Sequence, residues 1–475
     1  MKRKYTVVNF VFHSIHYRFF SVKILPFSKI PSPKSYPIIG HAHLFFKNGM
    51  YHKEKFAEAV QDLSLKYGPI FYLKFLGQKM VLTIDAENAC KLFDAEGKYP
   101  FRINMPALAH YQQNNFNCLG IVVANGVYWN KLRKYVNPLL NKSYISSFSS
   151  KNYDIAQAFV SYVKKRRNED NMLLDVCSHV YRYSTECISI VSPGRRLFCL
   201  ENYNNAKINE ILHGSSKFMD GLYASFSEPP LWKFIKTKAY ENLQNGFNII
   251  KNYIDTELES ENKLENTFIK SLFKNSNLSY NEARLLAADI FSGGIDAVAT
   301  TLTMTLYHLS RNKKCQYTAF EDIKNNSVLY LRACVKETLR LCPTSGGTTR
   351  SLPKNIIMNN YLIPAGTTVT IVHPVISQME KYFDDAHLYK PERWLHSSKH
   401  NKKNEFTSYA SLPFGYGPRV CPGRWLTEQE CVIFLSEILK EFILEYPSNS
   451  EIGMVYRMNR IPDQLVNIKF IDRST

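Results

Sequence analysis

The chain has ten cysteines but no C-x-x-C pair and no short repeated cysteine spacing. That excludes a zinc ribbon or a disulfide framework and fits a reducing compartment. No Pro/Gly/Ser-rich linker divides the 475 residues after roughly the first forty, so one large unit is expected rather than a string of domains. Acidic residues are missing from the front of the chain. None precedes Glu54, whereas Lys2, Arg3, Lys4, Arg18, Lys23, Lys29 and Lys34 are basic. The apolar run from Tyr5 to Phe12 is too short to span a bilayer. A basic, serine-bearing, acid-poor front has the composition of a mitochondrial transit peptide; a degraded membrane anchor and a flexible basic tail are the alternatives. Residues 1–34 are therefore assigned to a leader and hinge, and 35–475 to the folded unit. Removing the seven positive charges of that leader takes the net charge from +19 to +12.

What is present points to a large core. Hydrophobic residues make up 45% and aromatics 13%, enough to enclose a planar cofactor in a mainly helical body. The remaining basic charge suits an acidic protein or an anionic membrane surface. Nucleic acid ranks below both, because no nucleic-acid-binding motif accompanies the charge. Pro31, Pro33, Pro37 and Gly40 make a stiff, non-helical entry. Residues 52–67 have a helical pattern, 70–76 and 79–84 read as paired strands, and 128–140 reads as a helix. The stretch 229–240 mixes aromatic and apolar residues with three lysines, which fits a membrane surface or a plain interhelical loop. The longest helical pattern, 281–308, is interrupted at Ser292-Gly293-Gly294-Ile295-Asp296-Ala297. Each glycine there weakens the helix by about 1 kcal/mol, which is tolerated where something must lie against it. Residues 396–404 read as a solvated loop.

The most specific pattern is Phe414-Gly-Tyr-Gly-Pro-Arg419-Val-Cys421-Pro-Gly423, a glycine-punctuated loop that presents one thiol before an apolar helical run. A cysteine binds iron as thiolate and needs amide donors and positive charge nearby. Glycines let the backbone approach, and Arg419, two residues before the thiol, offers a fork for a carboxylate. Here the chain resembles the cytochrome P450 family of haem-thiolate monooxygenases. The resemblance implies a mainly α fold with small β-sheets, a single large domain enclosing haem b, and Cys421 as the iron ligand. It also implies that Phe414 and Gly423 border the haem and that Trp129, Arg133, Arg350 and Arg419 meet its propionates.

Glu337-x-x-Arg340 followed by Pro391-Glu392-Arg393 matches the family's structural triad, in the right order before the cysteine loop. Arg332 and Lys336 lie at the offsets where mitochondrial members dock an acidic ferredoxin, itself served by a reductase. In the interrupted helix, Asp296 matches the family's acid, but Ala297 replaces the usual threonine that steers protons. The resemblance assigns Asp296 to proton relay. Thr300 and Thr301, one turn on, are badly aimed for that job; the favoured reading is proton delivery by a substrate hydroxyl or ordered water, and chemistry that needs no oxygen activation or a poorly coupled enzyme are the alternatives. The interval from Asn312 to Leu331 is shorter than the family usually provides, as though a surface helix were missing.

Residues 292–299 and the segment 232–240 look most like the arthropod mitochondrial members of ecdysteroid synthesis, the 2-hydroxylase above all. That implies a lipophilic steroid and dioxygen as substrates, with 2-deoxyecdysone converted to ecdysone. It also implies peripheral contact with the matrix side of the inner mitochondrial membrane. Another steroid or a xenobiotic, a haem-thiolate isomerase or dehydratase, and a non-catalytic haem protein are the alternatives.

Overall fold

In the computed structural model, residues 23–75, 78–259, 267–274, 277–395 and 405–473 are described. Among these described residues helices dominate, with four small sheets between them. The leader is described from residue 23 onward. There Leu25 bridges to Tyr361, Ile30 is buried, and the Pro31 carbonyl accepts from the Tyr72 amide at 3.0 Å. Residues assigned to leader and hinge are thus bonded to the body. The loop at 396–404 lies outside the described residues.

Among the described residues a small cluster holds Cys199, Ile208 and Leu212, and two large cores divide the molecule. The smaller is built on a four-stranded sheet of Ile70–Phe75, Gln78–Thr83, Thr368–Ile371 and Thr348–Ser351, in that spatial order. The first two strands form a hairpin, and the second and third run parallel, with Val81 opposite Val369. Register matters at the last strand, because Thr348 and Arg350 fall on the buried face while Thr349 and Ser351 alternate outward. That alternation is what aims Arg350 inward.

The larger core is helical and centres on Tyr280–Gly293 and Asp296–Arg311. A capping box starts the first of these: Ser279 accepts from the Glu282 amide, and Glu282 returns to the Ser279 amide at 2.8 Å. The pair is the only stretch among the described residues long and apolar enough to cross a membrane, and most of it is buried inside the protein. It is a core element. The break falls at Gly294–Ile295, within the interruption expected from the sequence. The interval after Asn312 contains one helix, Lys313–Lys324, before the helix Leu329–Leu341 begins.

The triad joins these parts. Glu337 is fully buried and accepts from Arg340 Nε at 3.0 Å, Arg340 Nη2 at 2.7 Å, Arg393 Nε at 2.9 Å and Trp394 Nε1 at 2.8 Å. Arg340 spends its other donors on the carbonyls of Ser377, Ala386 and Leu388. Burial pushes the Glu337 carboxyl up, but the Arg340 hydrogen bonds and the Arg340 and Arg393 charges outweigh it and hold it below its ordinary value. A buried charge so fully paired is expensive to break, at about 3–5 kcal/mol for loss of one partner.

Candidate active site

The cysteine loop is shaped by backbone constraints. Gly417 takes φ +70°, and a Cβ there would collide with Glu96 Oε1, so only glycine fits. The Cys421 amide donates to the Phe414 carbonyl at 2.8 Å, closing the loop, and Gly423 caps the buried helix Arg424–Glu441. Burial raises the Cys421 thiol, while the Gly423 amide and the charges of Arg133, Arg102 and Arg424 pull it down. Those donors and charges are what a thiolate ligand requires.

The thiol opens onto a cavity of about 1290 Å³. Trp129, Arg133, Arg350, Phe414, Arg419 and Gly423 all line it, so the structure brings together every expected haem-contact residue. Trp129 and Arg133 come from the helix Gly126–Val136, and the Arg419 guanidinium lies 4.1 Å from the centre of the Trp129 ring. Arg419 Nη2 donates to the Ala124 carbonyl at 2.8 Å, and its Nη1 has no partner. Arg133 reaches the Val420 carbonyl through Nη2 and leaves Nε unpartnered. Arg350 pairs with Glu96, whose Oε1 is also unpartnered.

Two members of this cluster were not expected from the sequence. Arg102 lines the cavity and donates to the Arg419 carbonyl at 2.9 Å, and Glu96 supplies the acid for Arg350. Burial, then the repulsion of Arg350 and Arg133, pushes Arg102 down to about 10; burial, then Arg102 and Arg350, pushes Arg419 down to about 9. Four guanidinium groups sharing one carboxylate, with buried N–H donors to spare, fit a dianionic propionate-bearing ring. The donor set suits haem.

The distal wall comes from the broken helix. Asp289, Gly293, Ala297 and Thr301, one turn apart, line the cavity together. Thr301 spends its hydroxyl on the Ala297 carbonyl at 2.7 Å, and Thr300 is buried elsewhere. Asp296 is not among the lining residues. Its carboxyl is buried away from the cavity lining, and burial, helped by the charge of Asp220, raises it to about 7. Asp289, unexpected from the sequence, accepts from Gln112 Nε2 at 3.2 Å; burial raises it to about 7 against the amides of Ile121 and Val122.

Arg332 and Lys336 are exposed on the outer side of the helix that turns Glu337 inward. Arg332 stands 3.6 Å from Glu428. In the 229–240 loop, Leu231, Phe234 and Ile235 are exposed, Phe234 to 84%.

The family model of cytochrome P450 matches residues 30–469. The chain belongs to the cytochrome P450 family. It is a haem b monooxygenase, and several of the relatives it resembles are mitochondrial enzymes. Over 94% of its length it is 27% identical to the probable cytochrome P450 49a1 of Drosophila melanogaster, covering 83% of that protein. It is 26% identical to the human mitochondrial cholesterol side-chain cleavage enzyme (94% of this chain, 89% of that one). To the mouse mitochondrial 1,25-dihydroxyvitamin D(3) 24-hydroxylase it is 24% identical, over 94% of this chain and 89% of the relative. The crystal structure of the cytochrome P450DA heme domain superposes with a TM-score of 0.78 at 17% identity, over 95% of this chain and 98% of the other, which shows the same fold.

Proposed function

We propose that this P450 hydroxylates a lipophilic steroid in the mitochondrion with electrons from a ferredoxin, and that the steroid is an ecdysteroid hydroxylated at carbon 2. The observation that carries the reading is the large cavity over Cys421, walled by Ala297 where the family keeps threonine. A polyhydroxylated steroid brings its own hydroxyl to that space. Relatives named for cholesterol side-chain cleavage and for vitamin D hydroxylation support a sterol-sized substrate.

In this reading Cys421 holds the iron, Arg133, Arg350 and Arg419 hold the propionates with Trp129 beneath Arg419, and the triad Glu337, Arg340 and Arg393 supports the pocket. When bound, haem supplies the oxidising chemistry. The protein's part is to orient the substrate, exclude water and deliver protons, with Asp296 as relay. Arg332 and Lys336 receive the ferredoxin. Leu231, Phe234 and Ile235 rest on the matrix face of the inner membrane after cleavage of a leader within the first residues of the chain.

The test is product analysis by mass spectrometry with purified protein, mitochondrial ferredoxin, its reductase, NADPH and 2-deoxyecdysone. The expected result is gain of one oxygen at carbon 2, dependent on ferredoxin. No product from a protein with a normal haem spectrum discards the steroid. Turnover of a substrate without ferredoxin favours an isomerase or dehydratase, which Ala297 would suit.

A further inference from the structure

Among the described residues, Glu96 is the acid paired with the arginine cluster beside the cavity. It directly follows the helix Ala86–Ala95, and its Oε2 accepts from Arg350 Nε on a strand 254 residues away. Both side chains are only 2% exposed. Arg350 Nη1 donates to the Thr349 carbonyl at 3.1 Å, and the guanidinium sits 5.8 Å from the centre of the Phe93 ring. Arg350 Nη2 makes no hydrogen bond among the described residues, so the fork is held on one side and open to the cavity on the other. The second oxygen of Glu96, Oε1, is buried without a partner and lies against the cysteine loop, where a Cβ added to Gly417 would stand 2.0 Å from it. One carboxylate thus touches both the arginine and the loop that carries Cys421.

Removing the charge of Glu96 would leave Arg350 a buried cation without its partner, so the pair keeps the carboxylate ionised. Burial raises the carboxyl above its ordinary value, and the charge and hydrogen bond of Arg350, with the charges of Arg102 and Arg419, oppose that rise. A fixed negative charge beside haem resists the arrival of another, and does so more strongly in a protein interior than in water. In monooxygenation one electron from an external donor converts ferric to ferrous haem before dioxygen binds. The local charge balance therefore sets how readily the cycle starts.

We propose that Glu96 positions Arg350 toward the haem propionates and, by its charge, lowers the reduction potential of the bound haem. The inference rests on reading Arg350 as a propionate ligand. Arg102, Arg133, Arg350 and Arg419 bring four positive charges to the site, which favour the added electron, and Glu96 is the counterweight. It is a positioning residue, acting through Arg350.

The test is redox titration of the haem-loaded protein, wild type against variants. Glu96→Gln, which keeps the shape and loses the charge, is expected to favour the ferrous form about three- to tenfold, an upward shift of about 30–60 mV for a one-electron couple. Glu96→Asp, which keeps the charge, is expected to return the potential towards wild type. A side chain that only filled space would leave the potential of Glu96→Gln unmoved. Glu96→Ala frees Arg350 and is expected, in addition, to speed haem transfer to an apoglobin acceptor about tenfold, the rate equivalent of one lost hydrogen bond. Glu96→Gln decides alone if Glu96→Ala does not fold. An unmoved potential in Glu96→Gln, or an equal shift in Glu96→Asp, overturns the inference. Haem transfer from Arg350→Leu separates it from the reading it rests on. Faster transfer there with an unmoved potential in Glu96→Gln keeps the propionate ligand and removes the role of Glu96. Unchanged transfer from Arg350→Leu removes both.

Discussion

At the residue scale, the balance of charge around the cavity decides what the site can hold. Arg102, Arg133, Arg350 and Arg419 face it with Glu96 as their nearest acid, and Arg133 and Arg419 keep unpartnered N–H groups. A charge-assisted hydrogen bond is worth about 1.5–3 kcal/mol. Arg133→Leu is therefore expected to weaken haem retention by roughly ten- to a hundredfold, read as haem transfer to an apoglobin acceptor, with secondary structure intact. Unchanged retention would show that Arg133 serves only the Val420 carbonyl. Cys421, Arg419 and Gly423 were legible because one contiguous loop carries all three. Arg102 was not, since its partner Arg419 lies 317 residues away and nothing in its local pattern marks it.

At the scale of the element, the break in the central helix sets which groups see the cavity. The two glycines announced the break, but the rotation of the helix that follows it is not fixed by residue spacing. Packing against Val176–Val191 decides it, and that turns Asp296 outward while Asp289, four residues before Gly293, stays on the cavity side. Asp289 makes a further case for burial over sequence pattern. Its folded carboxyl is raised to about 7, so ionising it costs stability at pH values where the unfolded chain, with an aspartate near about 3.9, is already charged. The cost is absent below that unfolded value, grows as pH rises towards 7, and is constant above it. Asp289→Asn, which keeps an acceptor for Gln112, is expected to be more stable than wild type by about 2–4 kcal/mol at pH 8. The gain should fade towards pH 4; chemical denaturation across pH measures it, and a gain independent of pH would refute the burial argument.

At the scale of the whole molecule, a helical core and a sheet core meet around the cavity, and the triad ties the helix Leu329–Leu341 to the segment ending in Pro391–Trp394. Motif order made this architecture readable from the sequence, because each motif is short and local. The seating of Leu25 and Ile30 on the body was not readable, since it depends on contacts with Tyr361 and the sheet core far along the chain. The proposed function requires one bond, from Cys421 to haem iron. The difference spectrum of the reduced protein with carbon monoxide, for wild type and Cys421→Ser, tests it most directly. The expected result is the long-wavelength Soret band of thiolate ligation in wild type and its loss in the variant. Persistence of that band in Cys421→Ser, or its absence from haem-loaded wild type, would contradict the account.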